Sequence, residues 1–274
     1  MSCLGQSWIL SVFTKSKVCL SFVHLFLSKM SIEKRTNVLY NMKYGGELMI
    51  LSREDLEDLA QTVLSDFQGV PVKIGPIDID RLATEYLGLV VQYEGLSEDQ
   101  SILGVTTYAP CEVWTTRGAI YVAPNTVLLD WSLRPLPSAD SSRCLRRFTL
   151  AHECAHQILY RYESASFQSQ IGTVYSPRRF RVQEDWNEWQ ANALGAALLM
   201  PPNLLQQAWF LFCTGEKLHR YGGWLPPTER SQLENMSRCL EVSRSALLIR
   251  LEQLDFVVDE PWSAYCDPLD VIAS

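Results

Sequence analysis

His152 and His156 stand four positions apart in the run His152-Glu153-Cys154-Ala155-His156, and that spacing demands a helix before anything else is considered. On an α-helix the two imidazoles lie one turn apart and point the same way, so one ion can take both. Glu153 starts near the same face, where it can polarise a water on that ion rather than bind the ion itself. The chain has four histidines and spends two of them here. A helix is expected from about Ser142 to Tyr160. Leu145, Phe148, Ala151, Ala155, Ile158 and Leu159 should cover a core-facing side, other than the side that carries the histidines. Cys154, at a variable position of the motif, reads as a small packing residue rather than a ligand.

Two histidines leave such a site incomplete, because a catalytic zinc takes three protein ligands and a water. Glu188 lies 32 positions beyond His156, with Asn192 one turn after it and an apolar helix following. This pairing suits a metal-binding carboxylate with a neighbour that hydrogen-bonds a ligand histidine. Glu184 and Asp185 compete for the same role, but neither has both the i,i+4 partner and the apolar helix behind it. Amide hydrolysis at such a centre also needs a donor for the tetrahedral oxyanion. Tyr160, Tyr162, Tyr175 and His219 are the candidates, unranked by sequence. An extended substrate would pair with an edge strand, for which Ala119–Ala123 is the first choice.

The remaining chain supplies an α+β frame. Ser52 and Asp55 form a capping-box start, followed by Leu56, Leu59, Ala60, Val63, Leu64 and Phe67 at helical spacing. A short helix should begin at Asp78 or Asp80 and close at Gly88. Strands are expected at 89–93, 102–108 and 119–123, with Pro110–Gly118 as a hairpin-like connection. Residues 132–142 and 161–183 read as loops, the second locally basic around Arg178, Arg179 and Arg181. Helices follow from Glu184 to Met200-Pro201-Pro202, near 203–213 and 228–239, and from Ser243 to about Asp255.

The bulk numbers exclude some classes. A net charge of −7 and a pI near 5.2 argue against a general binder of nucleic acid or anionic membranes. Eight cysteines without CxxC spacing suit reduced thiols in a cytosolic protein. Within residues 8–27, Lys15 and Lys17 interrupt the apolar run, so neither a membrane span nor a signal peptide is expected. Tyr44-Gly45-Gly46-Glu47-Leu48-Met49 can be encoded by a purine-rich GGAGGAGA stretch just before an ATG, which resembles a translated ribosome-binding site. Our hypothesis is that synthesis starts at Met49 and that 1–48 is a non-native extension or disordered; an intact mass beginning at Met1 would overturn it. The expected organisation is then a core at 49–202, a helical annex at 203–258 and a tail at 259–274.

The run Arg147-Phe148-Thr149-Leu150-Ala151-His152-Glu153-Cys154-Ala155-His156 resembles the RFTLAHExxH signature of the ImmA/IrrE-type metallopeptidases. Glu188-Trp189-Gln190-Ala191-Asn192-Ala193-Leu194-Gly195-Ala196-Ala197-Leu198-Leu199-Met200-Pro201 resembles that family's ExEANxFAxxLLMP. Gln190 departs from the pattern's second acidic residue, and Leu194-Gly195 depart from its Phe-Ala; neither position is the expected ligand. The likeness extends more weakly over residues 52–256. It implies a zincin-like fold with a small mixed or antiparallel sheet, an HExxH helix and a C-terminal helical annex. It also implies one zinc per chain and cytoplasmic cleavage of helix-turn-helix repressors, often in mobile-element or stress-response circuits.

Two other classes compete. Leu233–Leu254 has the rhythm of a helix-turn-helix with Glu241-Val242-Ser243 as its turn, which suggests a DNA-binding regulator. Its second helix is expected to expose Arg244 and Arg250, offset by Glu252. A module that grips a repressor through the same zinc ligands without cutting it is the other. No direct nucleic-acid contact and no membrane are expected, and the oligomeric state is not legible in the sequence.

Overall fold

The computed structural model describes residues 51–68, 74–135, 140–161, 174–175 and 182–266. The readings placed on 1–48, Tyr162 and Arg178–Arg181 lie outside those residues. Helix α1, Arg53–Gln68, starts where the capping box put it. The Asp55 amide donates to Ser52 Oγ at 3.2 Å, and the Ser52 amide donates back to Asp55 Oδ2 at 3.0 Å. Its apolar stripe from Leu56 to Leu64 is buried, each leucine contributing about 1.5–3 kcal/mol by leaving water. Helix α2, Ile79–Arg81, is capped by the Asp78 carboxylate and widens into a π-helical turn over Leu82–Tyr86. The widening was not legible in the sequence.

Six strands follow: β1 Val90–Glu94, β2 Gly104–Thr107, β3 Cys111–Thr115, β4 Gly118–Val122, β5 Thr126–Asp130 and β6 Val174–Tyr175. The main sheet has the order β1-β5-β2-β6, with β5 parallel to β1 and antiparallel to β2. Its inner strand β5 was absent from the sequence reading. All five of its residues are buried, so Thr-Val-Leu-Leu-Asp shows none of the alternation that marks a half-buried strand. Pro110–Gly118 is more than a connection, since it contains β3, and β4 pairs with β3 rather than with the main sheet. Ala119–Ala123 therefore does not form the edge beside the motif helix. The ribbon's inner face, Val113, Ile120 and Val122, packs on Leu96, Val105 and Leu128, which holds it off that edge.

Helix α3, Asp140–Tyr160, carries the motif and packs along α4, Val182–Leu199. Leu150, Ala151, Cys154, Ala155 and Ile158 are buried, and Cys154 is a packing residue. Leu145 is exposed instead, because it precedes His152 by seven positions and so falls on the histidine stripe. Gly195 on α4 makes the close approach possible. A Cβ there would sit 3.1 Å from the His152 amide nitrogen and 3.2 Å from the Ala151 carbonyl carbon.

Helix α5, Pro202–Phe212, opens on proline at its first turn, and α6, Pro227–Leu240, and α7, Arg244–Gln253, complete the helical part. Strand β7, Leu218–Tyr221, pairs in parallel with β8, Val257–Glu260. Residues 259–266, read as tail, thus hold the end of β8 and a 3-10 turn at Trp262–Ala264. One continuous core joins Leu56 of α1, Val127 and Leu129 of β5, Ala155 of α3, Leu198 of α4 and Leu247 of α7. Arg250 on α7 is not exposed. It is 2% accessible and donates two bonds to the Glu57 carboxylate, at 2.5 and 2.6 Å, and one to Met200 O at 3.1 Å. All six described cysteines are free thiols. No described helix is long and apolar enough to cross a membrane.

Candidate metal centre

Helices α3 and α4 bring three side chains to one point. His152 Nε2 lies 3.3 Å from Glu188 Oε2, His156 Nε2 lies 3.5 Å from Glu188 Oε1, and the two Nε2 atoms are 3.0 Å apart. Ligands held about 2.0–2.1 Å from one tetrahedral ion are separated by roughly 3.3 Å, so the three donors already stand at the edges of such a site. Asn192, one turn beyond Glu188, accepts a hydrogen bond from His152 Nδ1 at 3.1 Å. That bond places the ring proton on Nδ1 and leaves Nε2 as the donor atom. Side chains of Glu184 and Asp185 fall outside the described residues, and the cluster consists of His152, His156 and Glu188.

The electrostatics identify the same point. Glu153 is 3% accessible, and burial pushes its carboxyl up to about 7, reinforced by Glu188 and opposed by His152. Its Oε2 atom is buried without a hydrogen-bond partner, and so is Glu188 Oε1. Such an atom costs about 1–3 kcal/mol when left unsatisfied, so two of them in one group of interacting side chains point to a further occupant. His156 is pushed down to about 4 by burial and by the neighbouring His152. For His152 burial works downwards too, but bonding to Glu188 and the nearby Glu153 carboxylate raise it above the ordinary value. Glu188 is resisted by burial and still drawn well below the usual carboxylate range by its two imidazole neighbours. An oxygen-and-nitrogen donor set of this kind suits zinc or a similar divalent ion.

Two residues that position the cluster were not read as functional. Gly104 on β2 faces Glu153: a Cβ there would lie 2.5 Å from Glu153 Oε1 and 2.8 Å from Thr149 Cγ2. The glycine inside a β-rich run was the available signal, since an isolated glycine there often marks a close approach. Gln157, next to the motif, donates to Thr106 Oγ1 at 2.7 Å and Thr107 O at 3.0 Å, fastening α3 to β2. The oxyanion candidates fare unevenly. Tyr160 stacks on Tyr108 with ring centroids 3.9 Å apart. Tyr175 pairs through its backbone with Thr106, and Tyr162 lies outside the described residues. His219 is not at the centre: it sits on β7 and donates to Glu260 Oε1 of β8 at 2.6 Å. Its imidazole is engaged within the separate two-stranded sheet of β7 and β8.

Residues 138–252 match the family model Peptidase_M78, the IrrE N-terminal-like domain. The matched segment belongs to that family. It includes the HExxH helix, Glu188, Asn192 and both C-terminal helices. The family is one of metallopeptidases, and the clustered His-His-Glu donors are compatible with a metal ion. No curated protein matches the chain.

Proposed function

We propose that the protein is a zinc-dependent endopeptidase that cuts a peptide bond in a cytosolic helix-turn-helix repressor, with Glu153 as general base. The observation that carries this reading is the partnerless Glu153 Oε2 beside the converged His152, His156 and Glu188 donors. Zinc held by those three residues would supply a Lewis acid that polarises a carbonyl and acidifies water. Glu153, buried beside the donors with Oε2 lacking a hydrogen-bond partner, is suited to take the proton from the attacking water. The hydroxide oxygen bonds to the carbonyl carbon, the C–N bond breaks, and the same carboxyl returns the proton to the leaving amine. Asn192 keeps the His152 ring oriented throughout.

A substrate backbone is best accommodated along β2. Strand β6 pairs only with Thr106 and Thr107, while Gly104 and Val105, next to Glu153, have no partner strand on that side among the described residues. This replaces β4 as the docking edge, in keeping with a zincin-like arrangement of sheet and motif helix.

Co-expression with a helix-turn-helix repressor, taken from a neighbouring gene where one is encoded there, tests the reading. Fragments are expected with the native chain and none with Glu153→Gln, which should keep its metal. Intact repressor in both cases would leave the module that binds without cutting. Nothing observed favours the DNA-binding class, because Arg250 is spent on Glu57 inside the protein.

A further inference from the structure

A cavity of about 220 Å³ lies away from the metal donors, lined by Arg134, Arg143, Arg146, Arg147, Asp80 and Glu241 among others. Among the described lining residues four guanidiniums face two carboxylates, in a chain whose net charge is −7. Arg146 is matched, since it bonds both Asp80 oxygens and the Tyr93 hydroxyl. Arg143 donates to Glu241 Oε1 at 3.2 Å. Arg147 is different. It is 6% accessible, donates to the backbone carbonyls of Glu241 and Ile77, and has its nearest carboxylate, Glu241 Oε2, at 3.8 Å. Burial depresses its pKa more than Glu241 and Asp80 restore it, so its charge is under-compensated. Arg134 reaches over the Tyr93 and Trp131 rings and has no carboxylate partner among the described residues.

We infer that this cavity is a binding site for a small phosphate monoester. Among the described lining residues guanidiniums outnumber carboxylates by two, which suits an anion, and a phosphate monoester carries about −1.5 to −2 at neutral pH. Guanidinium forks present paired donors to phosphate oxygens. Pockets for larger organic ligands run to about 300–1,000 Å³, so the volume favours a compact ligand over a peptide. Asp80 and Glu241 hold two of the arginines in place from α2 and from the turn after α6, pre-setting the donors before the ligand arrives. The site is independent of the hydrolytic reading and stands or falls without it.

The test uses the full chain in calorimetry and thermal unfolding, with inorganic phosphate and a sugar phosphate as probes and acetate at equal ionic strength as control. Saturable binding of one phosphate group per chain is expected. At about ten times its Kd the ligand should raise Tm by a few degrees. Phosphate also stabilises folded proteins by exclusion from their surface, so the decisive variant is Arg134→Gln with Arg143→Gln. That double variant, whose changes fall on the more exposed arginines, should fold with its Tm in acetate little changed and lose the saturable heat. If the sugar phosphate binds and inorganic phosphate does not, the monoester stands with its organic part contributing. Absence of saturable binding by either probe at millimolar concentration overturns the proposal. So does an equal response in the double variant, or an equal response to acetate.

Discussion

Two buried charged groupings in this molecule are built on opposite rules. At the Arg250–Glu57 pair, both carboxylate oxygens are used and the remaining guanidinium nitrogen finds Met200 O. At the His152–His156–Glu188 centre, two buried carboxylate oxygens, one on Glu153 and one on Glu188, have no hydrogen-bond partner, and the second has only His156 Nε2 at 3.5 Å. A satisfied ion pair inside a protein fixes elements relative to one another, here α1, α4 and α7. An unsatisfied one stores free energy that a bound ion and its water can release. The first is architecture and the second is a site, although both are acidic and basic groups in similar surroundings.

The contrast is sharpest in the metal content. His152→Ala and Glu188→Ala should lose the bound ion altogether, beyond the roughly 10–100-fold typical of a lost outer-shell bond, while Arg250→Met retains it. Metal analysis of purified full-length chains reads this directly. An Arg250→Met protein that folds without metal would break the division. Next in size is stability. Arg250→Ala strands the Glu57 carboxylate and should cost about 3–5 kcal/mol in urea unfolding, whereas Arg250→Met should cost far less.

Glu153 gives a pH signature. In the metal-free protein its pKa is raised from 4.5 to about 7, so the native state holds a proton that the unfolded state releases. The stability linked to that proton is complete below pH 4.5 and is lost as pH rises through 7. Glu153→Gln has no such proton to lose. The gap between variant and native protein, measured with chelator present, should grow from near zero at pH 4 to roughly 3 kcal/mol at pH 8, in favour of the variant. A gap independent of pH would show that the carboxyl is already ionised in the fold. The smallest effect belongs to Asn192→Ala, which keeps every ligand and should weaken metal binding about 10–100-fold in chelator competition.

The convergence of the candidate metal donors was legible because its information is local. His152 with His156, and Glu188 with Asn192, are one-turn pairs whose geometry follows from helical spacing alone. The helices were legible for the same reason, down to the Ser52 cap. What was hidden depends on partners far along the chain. Strand β5 gives no alternating signal because β1 and β2 flank it and packing covers both faces. Arg250 reads as a solvent-facing helical arginine until Glu57, 193 positions earlier, is placed against it. His219 looked like a spare catalytic imidazole, and only the β7–β8 pairing shows where it points.

The clamp between Glu57 and Arg250 also sets an order of events during biosynthesis. Arg250 holds Met200 O, at the end of the helix that carries Glu188, yet it is made 62 residues after that glutamate. At ordinary translation rates of about 5–20 residues per second, roughly 3–12 s separate the two. Throughout that interval the nascent chain has both histidines and the glutamate but not the bond that anchors their scaffold. A chain truncated before Arg250 lacks the tie that joins α1 and the end of α4 to α7.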